Sequence, residues 1–158
     1  MILSDMADKS LRLNAFIPYR LSFTSTLVSE SVAGLYERLF GISVPEWRVI
    51  AWLGESDGIT QQEICVRTRM DKVTVSRATI SLTERGLIDR RPNPQDRRSH
   101  LLGLSADGRK LYADIAPRAL ELEGRIFARF DTQQIETFVS MLEQIDLAVL
   151  ELGRQAKD

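Results

Sequence analysis

Residues 60–105 read TQQEICVRTRMDKVTVSRATISLTERGLIDRRPNPQDRRSHLLGLS, and the fold is decided in this run. Thr60 and Glu63 have the spacing of a capping box, in which the hydroxyl accepts a first-turn N–H and the carboxylate reaches back to the cap amide, so a helix begins there. Ile64 and Cys65 fall on its inner face, Cys65 as an inert core thiol. The chain turns through Arg69 and Met70, and Asp71 caps a second helix. Val75, Ala78 and Leu82 then recur at three- and four-residue spacing, a stripe that seats the second helix on the first and turns Lys72, Thr74, Ser76, Arg77 and Ser81 outward. Two short strands follow, Leu87–Arg91 and His100–Leu104. Pro92, Asn93, Pro94, Gln95 and Asp96 form a loop that continues neither strand, with Arg97 and Arg98 near its tip.

A face of Ser, Thr and Arg at the start of a second short helix is the geometry that enters a DNA major groove, and the hairpin beside it makes a wing. Arg77 is suited to guanine O6 and N7, or to a phosphate; Thr74 and Ser76 serve bases or phosphates, and Lys72 a phosphate. The net charge is only −1, but residues 61–110 hold eleven Lys/Arg against six Asp/Glu, while the rest of the chain holds ten against sixteen. The positive field is therefore concentrated on the helix-turn-helix and wing, and the acidic remainder is repelled by phosphate.

This run resembles the winged helix-turn-helix of the MarR (multiple antibiotic resistance regulator) family. The family's Asp-Arg-Arg wing, apolar strand and Leu-Ser/Thr-x-x-Gly stand here as Asp96-Arg97-Arg98, Leu101 to Leu104, Ser105 and Gly108. Thr74 to Arg77, then Leu82, Gly86, Leu87 and Ile88, match its recognition-helix pattern, and Pro45 to Ile50 match upstream. The resemblance covers about residues 10–153 and is strongest from Ser43 to Gly108. It implies a mainly α chain with a small β-hairpin wing, a single domain over 1–158. In it a winged helix-turn-helix unit, 43–105, is flanked by dimerisation helices in 1–42 and 106–158. Arg97 or Arg98 is then expected to reach a minor groove, with Asp96 orienting one of them by an ion pair.

A chain of 158 residues can bury roughly 68–70% of its unfolded surface without help from disulfide or metal. One Cys and one His give no basis for a disulfide, a structural zinc site or a Cys/His catalytic pair, and neither metal nor cofactor is expected. His100 suits a solvated or phosphate-facing role. The acidic residues Asp114, Glu121 and Glu123 lack a nucleophile or metal beside them, so an enzyme is not expected. With no apolar run long enough for a membrane span and no signal-peptide pattern, a cytoplasmic protein without membrane association is expected.

Outside the central unit, residues 1–16 form an apolar arm. A long helix runs from Pro18 to Phe40 and ends at Gly41. Ser43 with Glu46 caps a helix over Val44–Leu53 that buries Trp47, Ile50, Ala51 and Leu53; Ile59 adds a third small strand. Ser105 starts a helix that Pro117 should kink near Ala116. Asp131 with Gln134 opens the last helix, where Ile135, Phe138, Leu142, Ile145, Val149 and Leu152 form a heptad seam flanked by Met141, Leu147 and Leu150. That surplus apolar surface points to a homodimer meeting a pseudo-palindromic duplex. Family resemblance further implies a small effector, often a phenolic carboxylate or its thioester. Tyr19, Ser22, Phe23, Thr26 and Ser29 of the first helix and Trp47 and Arg48 of the second supply rings, hydroxyls and a guanidinium suited to it. The functional expectation is a sequence-specific DNA-binding regulator, a repressor released by that effector. The alternative is a winged-helix protein–protein assembly module that binds no DNA, which would not need Arg97, Arg98 or the basic segment.

Overall fold

The computed structural model describes residues 11–56 and 58–156. Residues 1–10 of the expected apolar arm lie outside them, and residues 13–15 form one 3-10 turn. Six helices and three strands follow: α1 (Ile17–Phe40), α2 (Val44–Glu55), β1 (Ile59–Thr60), α3 (Gln61–Thr68), α4 (Lys72–Glu84), β2 (Ile88–Pro92), β3 (His100–Leu104), α5 (Ala106–Ile126) and α6 (Thr132–Gln155). They divide into two compact units at the Ala116–Pro117 bond. α5 is continuous through Pro117, whose ring deprives the Ala113 carbonyl of a helical donor at this boundary.

Most helix starts are set by bonds between neighbours in sequence. Ser43 with Glu46, Thr60 with Glu63 and Asp131 with Gln134 close complete capping boxes, and Asp71 accepts the Thr74 amide at 2.8 Å. α1 stops at Gly41, whose φ of 61° is the left-handed conformation that a glycine adopts without cost.

In the first unit the antiparallel sheet has the order β1-β3-β2, with Ile88 opposite Leu104 and Ile59 opposite Leu102. Pro92, expected in the loop, is the last residue of β2, opposite His100. It is tolerated because β2 is an edge strand and needs no outer donor. Ile42, Val49, Ile50, Ile64, Val75, Leu82, Ile88 and Ile115 are fully enclosed between the helices and this sheet. On α2 the buried stripe is Glu46, Val49, Ile50 and Leu53, so Val49 takes the inward position expected of Ala51, which is half-buried. Cys65 is half-buried too; α3 is only two turns long, and Ile64 alone fills its inward position.

In the second unit the close of α5 and α6 are joined by a turn in which the Phe127 and Phe130 rings lie 6.3 Å apart. Not one residue of α6 is buried, and Phe138, Met141, Ile145, Leu147, Val149, Leu150 and Leu152 are exposed. No helix among the described residues is long and apolar enough to cross a membrane.

The start of α5 is tied to the helix-turn-helix through Ser105, whose hydroxyl donates to the Gly86 carbonyl at 2.6 Å and accepts the Gly108 amide at 3.0 Å. A Cβ on Gly108 would run into the Leu87 carbonyl, backbone that cannot rotate away. Gly108→Ala, which in an open helix would gain up to about 1 kcal/mol, is therefore expected to cost about 1–3 kcal/mol in urea unfolding.

Candidate nucleic-acid interface

α4 is held so that one face is committed inward and the other left open. Val75, Ala78, Thr79 and Leu82 are buried, while Lys72, Val73, Ser76 and Arg77 line an open groove of about 580 Å³ whose other wall is Gln61, Gln62 and Cys65 of α3. Three of the expected residues, Lys72, Ser76 and Arg77, thus come together. Thr74 stands apart from them, for its hydroxyl donates to the Asp71 carboxylate at 2.8 Å. Asp71 is held below the usual carboxylate range by the Thr74 amide and hydroxyl.

The wing forms a second concavity, about 300 Å³, between the sheet and the start of α3, lined by Gln61, Gln62, Arg90, Arg98, Ser99 and His100 among others. Arg97 and Arg98 are the central residues of a turn closed by the Ser99 amide on the Asp96 carbonyl at 3.1 Å. Asp96 does not reach a guanidinium, as expected of it; its carboxylate accepts the Arg98 backbone N–H at 3.0 Å. An Asp at the first position of a turn bonds the amide two residues on because that donor is already within reach. The loop is further braced by Asn93, which donates to the Ser99 hydroxyl at 2.9 Å and accepts the Gln95 amide at 3.0 Å. Arg98 faces the cleft, and Arg97 lies outside it.

Gln61 and Gln62 border both concavities and were not singled out from the sequence. Nor were Arg90 and His100 as wall residues of one cleft, although strand alternation puts Arg90 opposite Leu102 on the strand that His100 begins.

Ser81, expected to point outward, turns inward. Its hydroxyl donates to Glu46 Oε1 at 2.6 Å, while Glu46 Oε2 accepts the Ser43 amide at 2.8 Å. Arg85 stands 3.8 Å from the same carboxylate and donates to the Gly41 carbonyl at 3.1 Å. Burial pushes the Glu46 carboxyl up, but the Ser43 amide, the Ser81 and Ser43 hydroxyls and the Arg85 charge together outweigh it and hold the group below its ordinary value. Glu46 could have been found from its place in the stripe 46, 49, 50, 53, where a carboxylate demands partners.

The residues expected to hold an effector fall into two groups. On α1 the Tyr19 and Phe23 rings lie 6.1 Å apart, with the Arg20 guanidinium 5.4 Å over Phe23. Thr26 donates to the Ser22 carbonyl at 3.0 Å, and Ser29 is half-buried. On α2, Trp47 packs against Tyr36 at 5.2 Å and stacks with Tyr112 at 5.9 Å, an aromatic trio drawn from three helices. Arg48 is exposed and has no ion-pair partner among the described residues.

The sequence profile of the MarR family matches residues 40–99, which run from the end of α1 to the close of the wing loop. The HTH-type transcriptional regulator YwoH of Bacillus subtilis (strain 168) is 26% identical over 126 residues, 80% of this chain and 90% of that protein. The crystal structure of a MarR/EmrR family transcriptional regulator from Acinetobacter sp. ADP1 shares the fold with a TM-score of 0.83, at 22% identity over 89% of this chain and 99% of that one. Residues 40–99 carry the MarR-family match, and the chain as a whole is similar to that family's winged-helix transcriptional regulators. A further solved structure, CouR from Rhodococcus jostii RHA1 bound to p-coumaroyl-CoA, is 26% identical, with a TM-score of 0.76 over 86% of this chain and 95% of that one.

Because Glu46 is stabilised as a carboxylate, its contribution is complete above the ordinary glutamate range and is lost as pH falls through its depressed native value. Glu46→Gln should cost about 1–3 kcal/mol at pH 7 by leaving donors mismatched. In urea titrations that difference is expected to shrink below about pH 4.

Proposed function

We propose that this regulator is a homodimer that binds a pseudo-palindromic duplex through α4 and the wing and is released from it by a small aromatic carboxylate or its thioester. The observation that carries the reading is the groove shared by Lys72, Ser76 and Arg77, set beside a wing cleft bearing Arg90 and Arg98 within the one basic segment of an acidic chain. Arg77 supplies a forked donor for guanine, Lys72 and Ser76 serve phosphate or base edge, and the braced wing offers Arg97 and Arg98 to the flanking backbone or minor groove. Thr74 contributes through its amide cap with Asp71. An assembly module without DNA binding would leave this concentration of cations without a purpose. Dimerisation is supported by α6, whose apolar seam stays exposed in a single chain and which a second copy would cover about a twofold axis.

Arg77→Ala is expected to weaken the preferred duplex by about 1–3 kcal/mol and relax base preference, whereas Lys72→Ala weakens all sequences alike and flattens the salt slope by about one unit. Gel shifts and salt titrations on duplexes flanking its own gene check both, and sedimentation of the complex should give two chains per duplex. Unchanged preference in Arg77→Ala would remove α4 from base reading.

The effector reading is supported by the exposed, unpaired Arg48 beside the aromatic trio and by CouR, whose bound p-coumaroyl-CoA is an aromatic thioester. Such a ligand releases DNA only by favouring the incompetent half-site spacing; a hundredfold preference corresponds to about 2.7 kcal/mol. An aromatic acid or thioester is expected to lower operator affinity of the native chain, and Arg48→Ala to abolish that response with binding in its absence intact. A panel of such compounds that shifts neither melting temperature nor operator affinity would overturn the effector reading.

A further inference from the structure

α4 exposes two large apolar side chains that hydrogen bonding and charge leave unexplained, Val73 and Ile80, and of these only Val73 lines the groove. Val73, in the first turn, is 58% exposed. A single exposed valine is ordinary on a protein surface; this one lines the same groove as Lys72, Ser76 and Arg77. Its neighbour Thr74 is turned to Asp71, so Val73 is the only apolar residue that α4 contributes to that groove among the described residues. Val73 and Arg77 are four apart and therefore share a face, separated by roughly 6 Å along the helix axis. That rise corresponds to about two base-pair steps of roughly 3.4 Å each.

We propose that Val73 reads the C5-methyl group of a thymine in the major groove, one or two base pairs from the guanine contacted by Arg77. The assignment rests on α4 being the recognition helix. The thymine methyl is the one apolar group that a base pair presents in the major groove, and an apolar side chain is its natural partner. Neither the hydroxyl of Ser76 nor the ammonium of Lys72 gains from covering a methyl, because each would lose water without receiving a hydrogen bond. The branched end of Val73 has no water to lose in that sense and gains when both apolar surfaces leave solvent. Uracil differs from thymine on this edge by the methyl alone, so uracil replacement isolates the contact while keeping every donor and acceptor. Loss of one buried methyl corresponds to about a fourfold drop in affinity for each half-site.

The test uses the native full chain to select preferred duplexes from a random-sequence pool. Each thymine of the selected consensus is then replaced in turn by deoxyuridine, and each guanine by 7-deazaguanine. One thymine per half-site, within two base pairs of a guanine whose N7 is required, should lose about fourfold on uracil replacement. Val73→Ala, with its melting temperature unchanged, should bind the thymine and uracil duplexes equally. A consensus in which no such thymine responds to methyl removal overturns the assignment and leaves the recognition helix standing; so does Val73→Ala with the native uracil penalty. A native chain that selects no consensus at all overturns the recognition helix, and this assignment with it.

Discussion

The carboxylate of Glu46 is where three helices are fastened together. It closes the cap of α2 through Ser43, takes the Ser81 hydroxyl of α4 at 2.6 Å and lies near Arg85, which in turn holds the carbonyl that ends α1. The apolar contacts beneath, Val49, Ile50, Val75 and Leu82, supply most of the burial, but apolar attraction is non-directional and would tolerate α4 rolling by part of a turn. A hydrogen bond weakens steeply when its angle is spoiled. Ser81 thus sets the rotation of α4 about its own axis, and with it the direction in which Lys72, Ser76 and Arg77 leave the helix. The groove is a consequence of an anchor on the opposite side.

Much of this was legible in the sequence because it is written locally. The three capping boxes and the Asp71 cap join residues three apart, and the stripes of α2 and α4 recur within a turn, so element order and the buried and open faces of α4 follow from short windows. Other features are not local. Ser81 lies 35 residues from Glu46, and nothing in its own neighbourhood distinguishes a solvated serine from one that anchors a helix. The trio of Tyr36, Trp47 and Tyr112 joins α1, α2 and α5, a meeting that only the folded chain displays. Asp96 was read as a partner for a neighbouring guanidinium because opposite charges attract, yet the amide two residues on is closer and costs no side-chain ordering. The exposed apolar face of α6 was evident as a pattern, and its exposure in one chain is the folded counterpart of that pattern.

The two open concavities differ in chemistry because they are built from different elements. The α4 groove has helical walls and combines apolar with polar chemistry. The wing cleft is walled by a strand and a turn held by Asn93, Asp96 and Ser99, and Arg90 and Arg98 supply its positive charge. The start of α3 borders both, through Gln61 and Gln62.

The placing of the two tryptophans gives the molecule a built-in optical readout. Trp47 is stacked with Tyr112 at an interplanar angle of 19°, so its near-ultraviolet signal belongs to the packing of α2 on α1 and α5. Trp52 lies beneath the Arg67 guanidinium at 5.2 Å, a cation over its π face that ties its emission to the seating of α3. Any rearrangement that slides α2 would change the first environment, and any that lifts α3 would change the second. Replacing either ring by phenylalanine leaves a single-colour reporter of the other helix junction.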